Sequence, residues 1–342
     1  MGGALVRFVL KHSSIVLFVM LFCVFGGVAP RFFAVQNVEN ILVNASYIGI
    51  VAVGITMVLL TGGIDLSVGA NMYLSCIVAG LLLDKGMPVW VAAATCITIG
   101  ATIGALNAFF IVQLRAVAFV VTLAMMIAVR GIGLYGTRSI PVDFPESITL
   151  MATVRVFGIA PLPIVLFGLV AVCAHVLLSY TTTGRHLYAV GEDVDKARTA
   201  GIATGRILAL AYVLCGVCAA GGGLVSVGQV GIVKEGLGQG DEFDAIAAAV
   251  LGGTSLFGGV GNVLPGTVLG TILIQTVQAG LVFTGIDLYI QPLVMAGIIF
   301  LAVFIDSMRI MHLRKARRRH IMKREEPAET GAGEPIPHTP SG

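Results

Sequence analysis

The stretch from Ile41 to Leu83 most strongly constrains how this chain can fold, because Asp65 is its only charged side chain. About 20 apolar residues suffice for one helix to cross a lipid bilayer, so this stretch is long enough for two crossings. The turn between them falls in the segment TGGIDLSVGA, where Gly62 and Gly63 interrupt the helical pattern. The sequence therefore predicts two transmembrane helices joined by a sharp turn at Asp65.

The rest of the chain shares this apolar character. Of its 342 residues, 57% are hydrophobic and 11% are charged, and the mean hydropathy is +0.98, whereas charged residues make up about 25% of ordinary soluble domains. The 44 glycines favour close contact between helices, because helices in lipid associate through small-residue packing. We therefore expect an all-α protein built as a polytopic transmembrane helix bundle.

Apolar runs divide the chain into about ten candidate spans, near residues 13–29, 41–61, 66–83, 88–112, 117–137, 161–179, 207–228, 243–258, 263–283 and 288–305. The run at 243–258 is shorter than one crossing needs and is broken by glycines. A re-entrant or discontinuous helix is therefore the alternative to a full crossing there. The first run could pass for a signal peptide, but it has no small-residue cleavage motif before Pro30, so we predict a retained span.

Basic residues set the predicted orientation, because Lys and Arg collect in cytoplasmic loops. Ten spans with both termini in the cytoplasm place on the inner side Arg115, Arg185, Lys196, Arg198, Arg206 and the basic cluster of residues 309–324. The same arrangement leaves clearly outside only Arg31, Lys85, Arg138, Arg155 and Lys234. We expect a transmembrane domain over residues 1–308 and a cytoplasmic tail over 309–342. The basic part of this tail is expected against anionic lipid headgroups, and its end is expected to be disordered.

Two loops are longer than a simple connection between helices requires. The outer loop, residues 137–163, is either a surface for an external partner or an ordinary exposed loop. The inner loop, residues 179–207, contains VGEDVDKARTAG, which is typical of a short amphipathic helix from Glu192 that Gly201 closes at its C-terminus. A solvated charged loop is the alternative.

Two glycine-rich segments resemble each other. GGIDLSVG (62–69) and GGTSLFGG (252–259) share two initial glycines, a leucine and a closing glycine, and each follows an apolar helix. In the ten-span arrangement both helices run inward, so a duplication would be parallel, with Ser255 in the place of Asp65. A chance match in a glycine-rich membrane protein is the alternative.

Several kinds of chemistry have no motif in the sequence. There is no G-x-x-x-x-G-K-[ST] phosphate loop, so hydrolysis of ATP by that route would need another chain. The six histidines lack the spacing of zinc ligands, and the six cysteines all fall in apolar runs, where we expect small buried residues. No paired nucleophile and base is apparent for an intramembrane enzyme. We therefore predict no metal and no cofactor on this chain.

Charged groups are scarce inside the predicted spans, where Asp65 and Arg130 are the main ones. An ion-coupled transporter normally carries carboxylates at mid-membrane, so the sequence offers little for ion coupling, whereas hydroxyl and amide groups suffice for a neutral sugar or polyol. The predicted substrate path consists of Asp65, Ser67, Asn71, Asn107 and Thr122. Asp65 also stands where its carboxylate can cap the next helix by accepting from the N–H of Ser67 or Val68.

Four segments carry a family resemblance: GITMVLLTGGIDLSVGA, FVVTLAMMIAVRG, GRHLYAVGEDVDKARTAGI and DEFDAIAAAVLGGTSLFGGVGNVLPGTVLG. In order and spacing they resemble the membrane-spanning permease subunits of bacterial ABC importers for monosaccharides, of the ribose, xylose and galactofuranose type. The resemblance covers about residues 40–305. It implies a transporter subunit of the bacterial inner membrane rather than an enzyme.

The resemblance also implies partners. They are a second permease chain, as a homo- or heterodimer, a cytoplasmic ATP-binding subunit that carries ATP and Mg, and a periplasmic or extracellular sugar-binding protein. In that family the loop that matches residues 181–206 faces the ATPase. The residues that we expect in this coupling loop are Tyr188, Glu192, Asp193, Ala197, Arg198 and Gly201.

The chain departs from the usual pattern of this family at four positions. Val117 stands where proline is usual, Ala108 where glycine often follows Asn107, and Glu192 and Asp193 where glycine and asparagine are common. These departures bear on which sugar and which ATPase the chain serves. The alternative function is a stand-alone secondary carrier or facilitator for a small neutral polyol, which would transport without an ATPase.

Overall fold

The computed structural model describes residues 13–287 and 289–297, together with residues 300 and 304. The helices are, in chain order, α1 (Ser13–Val28), α2 (Val35–Leu60), α3 (Val68–Asp84), α4 (Val89–Val112), α5 (Ala118–Thr137), α6 (Glu146–Thr153), α7 (Leu162–Tyr180), α8 (Thr182–Glu192), α9 (Val194–Thr199), α10 (Thr204–Val230), α11 (Asp241–Leu251) and α12 (Val268–Phe283). Residues 291–297 are also helical. A 3₁₀ turn (Pro30–Phe33) precedes α2, and a π-helical turn (Val263–Thr267) precedes α12.

Six helical segments in the described part of the chain are long and apolar enough to cross a membrane, namely α2, α4, α5, α7, α10 and the segment Val263–Phe283. Shorter apolar helices lie at Phe18–Val28 and Val68–Asp84. The prediction of an all-α membrane bundle is therefore confirmed, while about ten spans stays a prediction. The span expected at 288–305 is described only in part, and the tail over 309–342 with its basic cluster lies outside the described residues.

Helices α2 and α10 form the centre of the bundle. Helix α2 contacts α7, α10, α11 and α12, while α10 also packs against α3 and α4. The contact between α4 and α10 runs backbone against backbone, since a Cβ atom on Gly216 would lie 2.2 Å from the carbonyl oxygen of Gly100. A Cβ atom on Gly104 would lie 2.3 Å from the carbonyl oxygen of Tyr212. Glycine thus permits this close packing, as the composition predicts.

The eighth predicted span is too short to cross a bilayer as one helix. Helix α11 ends at Leu251, and the residues 252–262 that follow it form no helix. Eleven residues extend about 16 Å along a helix axis, about half of the 30 Å hydrocarbon core. The structure therefore favours a re-entrant or discontinuous segment over one full helical crossing at residues 243–258.

Short strands order the predicted outer loop. Strand β1 (Val142–Asp143) pairs antiparallel with β4 (Ile232–Val233), and β2 (Arg155–Val156) pairs antiparallel with β3 (Ala160–Pro161). Arg155 forms an ion pair with Glu39 in the second turn of α2. The ion pair connects the outer loop to the start of α2, and the pairing of β1 with β4 connects it to the segment that precedes α11.

Candidate functional site

A cavity of about 830 Å³ lies between α2, α11, α12 and the helical residues 291–297. We call it the amide cavity, because seven carboxamide side chains and two carboxylates line it: Asn37, Asn40, Asn44, Gln239, Asp241, Asp244, Gln275, Gln278 and Gln291. Apolar residues, among them Ile41, Phe243, Phe283 and Met295, complete its wall. The cavity therefore presents amide and carboxylate groups on a largely apolar wall, and no basic side chain lines it.

The amides reach the cavity because of their spacing along the helices. Asn37, Asn40 and Asn44 follow one another at intervals of three and four residues on α2, and positions with this spacing lie on one face of a helix. Gln275 and Gln278 repeat the three-residue interval on α12. Asp241 and Asp244 likewise lie three residues apart on α11. Each of the three helices therefore presents one polar face to the cavity.

Some of these polar groups bond to protein, and others are free to bind a solute. The side-chain nitrogen of Gln278 donates to Oδ2 of Asp244 at 2.8 Å, and that of Asn37 donates to the Phe32 carbonyl at 2.8 Å. Nε2 of Gln275 is buried and has no hydrogen-bond partner among the described residues. A buried donor without a partner costs about 1–3 kcal/mol, so a ligand or water that accepts from Gln275 is favoured there.

This lining suits a neutral, hydroxyl-rich solute. Carboxamides both donate and accept hydrogen bonds, and carboxylates accept them, so hydroxyl groups find complementary partners around the cavity wall. Neither Asp241 nor Asp244 forms an ion pair with a described residue. The described part of the chain holds no group of three or more His, Cys, Asp or Glu residues suited to a metal ion.

Three of the residues predicted for the substrate path form one buried cluster outside the amide cavity. Oδ1 of Asp65 accepts hydrogen bonds from the backbone nitrogen of Ser67 at 2.9 Å and from its hydroxyl at 2.6 Å. Asn107 on α4 donates to the Ser67 hydroxyl at 2.8 Å and to both carboxylate oxygens at 3.5 Å. All three side chains are at most 1% exposed. Asp65 thus holds the backbone just before α3, as the capping prediction requires.

The other two predicted path residues also join helices. Asn71 donates to the carbonyls of Gly100 on α4 and Gly216 on α10, at 3.2 and 3.3 Å. The Thr122 hydroxyl on α5 lies 3.3 Å from the Ile64 carbonyl. Neither of them lines the amide cavity. Their part in a substrate path therefore stays a prediction, and their observed contacts are structural.

The predicted inner helix is present, but it begins later than the sequence indicates. Glu192 ends α8, and Asp193 has extended backbone and caps α9 by accepting from the backbone nitrogens of Asp195 and Lys196, each at 3.0 Å. Hydrogen bonds from the backbone and side chain of Lys196 lower the pKa of Asp193 below its ordinary value. The prediction of one helix from Glu192 is thus corrected to two helices that meet at Asp193.

The end of this inner helix is as predicted. Gly201 follows α9 with a φ of +83°, in the left-handed region that favours glycine. The backbone nitrogen of Ile202 donates to the carbonyl of Ala197 at 3.0 Å, which is the longer hydrogen bond of a Schellman cap. Ala197 is buried, whereas Arg198 is exposed beside the cap.

Helix α8 contacts the loop that follows α11. The hydroxyl of Tyr188 donates to the Gly261 carbonyl at 2.9 Å, and the backbone nitrogen of Gly259 donates to the carbonyl of Leu60, the last residue of α2, at 3.0 Å. A Cβ atom on Gly191 would lie 1.7 Å from the same Leu60 oxygen. The two similar glycine segments therefore meet directly at the end of α2, where α8 packs on both.

Reasoning from the sequence missed most of the amide cavity. Asn37, Asn40, Asn44, Gln275 and Gln278 did not enter the predicted path. The available signal was the spacing of three and four residues between amides on α2 and α12. It shows that the amides of each helix share a face, but not that the two faces lie opposite each other.

The chain matches known transport proteins along most of its length. Residues 37–305 match the family described as branched-chain amino acid transport system / permease component. The ribose import permease protein RbsC of Escherichia coli strain K12 is 36% identical over 305 residues, which cover 87% of this chain and 94% of the relative.

Two further relatives carry other substrates in their names. The autoinducer 2 import system permease protein LsrC of Klebsiella pneumoniae is 35% identical over 309 residues, covering 90% of this chain and 88% of the relative. The galactose/methyl galactoside import permease protein MglC of Salmonella typhimurium is 34% identical over 304 residues, covering 82% and 89%. No solved structure matches the chain significantly.

Proposed function

The chain belongs to the family of permease components of the branched-chain amino acid transport type, and from this premise we propose that it forms the membrane path of an ATP-driven monosaccharide importer. As a permease with several apolar helices, it is a multi-pass protein of the inner membrane and a transporter subunit. Its relatives include import permeases named for ribose and galactose. The proposed substrate class is therefore a small neutral sugar.

The amide cavity is the observation that supports this substrate class. Its seven carboxamides offer donors and acceptors without net positive charge, and Gln275 contributes a buried donor that has no partner among the described residues. A branched-chain amino acid would require a cationic partner for its carboxylate, and the cavity lining includes no Lys or Arg. Hydroxyl groups need only the partners that are present.

The proposed assembly follows the expectations drawn from the sequence. A separate cytoplasmic subunit carries ATP and Mg and docks on α8 and α9 near Glu192, Asp193, Arg198 and Gly201, while this chain binds no cofactor. An external sugar-binding protein delivers the substrate, and a second permease chain completes the membrane unit. Both termini are cytoplasmic in this arrangement.

The cluster of Asp65, Ser67 and Asn107 has a supporting role in this proposal. It fixes the break between α2 and α3 through the contacts of Asp65 with Ser67 and Asn107. The end of α2 touches the loop after α11 and the inner helix α8. The cluster thus forms a joint at the inner end of the path, with Asn71 and Thr122 bracing the neighbouring helices.

Sugar uptake by cavity variants tests the proposed path. Asn44→Leu and Gln275→Leu replace amides by an apolar side chain of similar size, while Thr102→Leu makes a polar-to-apolar change on the exposed side of α4, outside the cavity. We expect about tenfold lower ribose or galactose uptake for the cavity variants, since a lost buried hydrogen bond costs about 1–3 kcal/mol, and near-normal uptake for Thr102→Leu. Equal uptake by all variants at equal membrane levels would remove the cavity from the path.

A further inference from the structure

We propose that a groove at the inner end of α4 and α10 binds one anionic phospholipid of the cytoplasmic leaflet. The groove has a volume of about 590 Å³ and lies outside the amide cavity. Its walls come from the last two turns of α4, from the start of α10 and from the segment between α9 and α10. We call it the arginine groove, because Arg198 and Arg206 line it.

The groove divides into an apolar part and a polar part. Ala105, Phe109, Val112, Ala209 and Val213 line the apolar part, toward the interior of both helices. Phe109 is 51% exposed, so this wall is open to an acyl chain at its side. In lipid, an acyl chain is held on such a wall by close van der Waals packing.

The polar part offers several donors to a phosphate. Arg198 and Arg206 are both exposed, and Arg206 forms no ion pair with a described carboxylate. Thr204 is 7% exposed, lines the groove, and its hydroxyl makes no hydrogen bond to any described residue. The Thr204 hydroxyl thus offers a further donor at the groove.

The first turn of α10 adds a third attraction. No side chain caps this helix of 27 residues. The backbone N–H groups of Thr204 and Arg206 already donate to the carbonyls of Ile202 and Ala203, but the dipole of the helix still favours an anion at this end. Gly205 also lies in the groove, and a Cβ atom there would come within 2.9 Å of Val112. Two guanidinium groups, one hydroxyl and a helix N-terminus therefore converge at one end of an apolar groove.

A lipid fits this combination better than a soluble anion. Free phosphate would use the donors but leave the apolar wall exposed, whereas a phospholipid places its headgroup on the arginines and an acyl chain along α4. The position also agrees, since the proposed topology places this end of the bundle in the cytoplasmic leaflet, where anionic lipids attract basic side chains. The inference rests on that part of the proposed function.

Native mass spectrometry on the purified full-length chain, alone and in complex with its ATPase, tests the proposal with phosphatidylglycerol and phosphatidylcholine as probes. We expect one retained phosphatidylglycerol and no comparable retention of phosphatidylcholine. The double variant Arg198→Gln, Arg206→Gln should bind about thirtyfold more weakly, because each basic group near an anionic lipid contributes about one kcal/mol. Arg206→Lys, which keeps the charge, should stay within a few-fold of the parent chain.

Matched controls separate the groove from general charge and general hydrophobicity. Arg185→Gln removes an exposed arginine of α8 outside the groove, and Ala94→Phe adds a ring to an exposed part of α4 outside it; both should bind as the parent chain does. Ala105→Phe fills the groove from an exposed position and should abolish retention although both arginines remain.

Three results would overturn the proposal. Equal retention of the two lipids would show that the site does not distinguish lipid headgroups by their charge. Loss in the arginine variant with full retention in Ala105→Phe would reduce the site to surface attraction. Absence of lipid from the complex, with lipid present on the chain alone, would make the groove an ATPase contact. Each result is independent of sugar uptake, so failure here leaves the proposed import function to its own test.

Discussion

Gln278 donates a 2.8 Å hydrogen bond to Oδ2 of Asp244, and this bond joins α12 to α11 in the wall of the amide cavity. The same helix α11 continues into the 252–262 loop, which Tyr188 and Leu60 hold at its far end. One short helix therefore connects the lining of the cavity with the contact surface of α8. We expect a displacement of α8 to be passed to the cavity through α11.

The bond between Asp244 and Gln278 gives the first prediction. Asp244→Asn keeps an oxygen that accepts from Gln278, so uptake should remain within a few-fold of normal. Gln278→Leu leaves a partly buried carboxylate without its donor, and uptake should fall about tenfold because an unpaired group of this kind costs about 1–3 kcal/mol. The initial rates of sugar uptake by the two variants provide the comparison. Lost uptake in Asp244→Asn with normal uptake in Gln278→Leu would mean that the charge of Asp244, and not the bond, is required.

Tyr188 should be needed for coupling rather than for assembly. Tyr188→Phe removes the hydrogen bond to the Gly261 carbonyl, worth about 0.5–1.5 kcal/mol, and leaves the packing of the ring intact. We expect normal association with the ATPase and ongoing ATP hydrolysis, with less sugar transported per ATP. Tyr180→Phe is the matched control, since Tyr180 is 74% exposed at the end of α7. An unchanged ratio of sugar to ATP in Tyr188→Phe would refute the coupling role.

Gly201 should be required for the geometry of the inner helix. Its φ of +83° is costly for a β-branched residue, by about 1–2 kcal/mol, whereas asparagine tolerates this conformation. Gly201→Val should insert normally into the membrane but co-purify with less ATPase, and Gly201→Asn should retain association. Full association of the valine variant with the ATPase would mean that α9 is an ordinary exposed segment with no role in ATPase binding.

Much of the helical architecture could be predicted from the sequence. The bounds of α4, α5 and α7 fall within two residues of the predicted spans, because long apolar runs flanked by polar or glycine residues have few other ways to satisfy their backbone in lipid. The division between α8 and α9 was missed, since the extended backbone of Asp193 depends on the hydrogen bonds that its own side chain accepts.

The candidate site was harder to predict, for a physical reason. Spacing along a helix shows which residues share a face, but not which helix lies opposite. Asp65 and Asn107 bond to each other and to Ser67, and their part in a substrate path stays a prediction. Asn40 and Gln278 line one cavity only because α2, α11 and α12 pack around it.

Two substitutions of Asp65 distinguish a capping role of its carboxylate from a role in transport. Asp65→Asn keeps an acceptor for the backbone N–H of Ser67 and removes the charge, whereas Asp65→Ala leaves that buried N–H unpaired, at a cost of about 1–3 kcal/mol. If Asp65 serves as a cap, the asparagine variant should transport nearly normally, and the alanine variant should be unstable or poorly inserted. Normal insertion and dimerisation of both variants without transport by either would show that the carboxylate itself serves the transport cycle.

The most direct measurement of the central claim is concentrative sugar uptake by proteoliposomes. The full chain is reconstituted with and without its ATPase subunit, with Mg-ATP inside and with the external binding protein loaded with labelled ribose or galactose. We expect accumulation above the external concentration only when the ATPase, ATP and binding protein are all present. Accumulation of sugar by the chain alone, without ATPase or ATP, would contradict it.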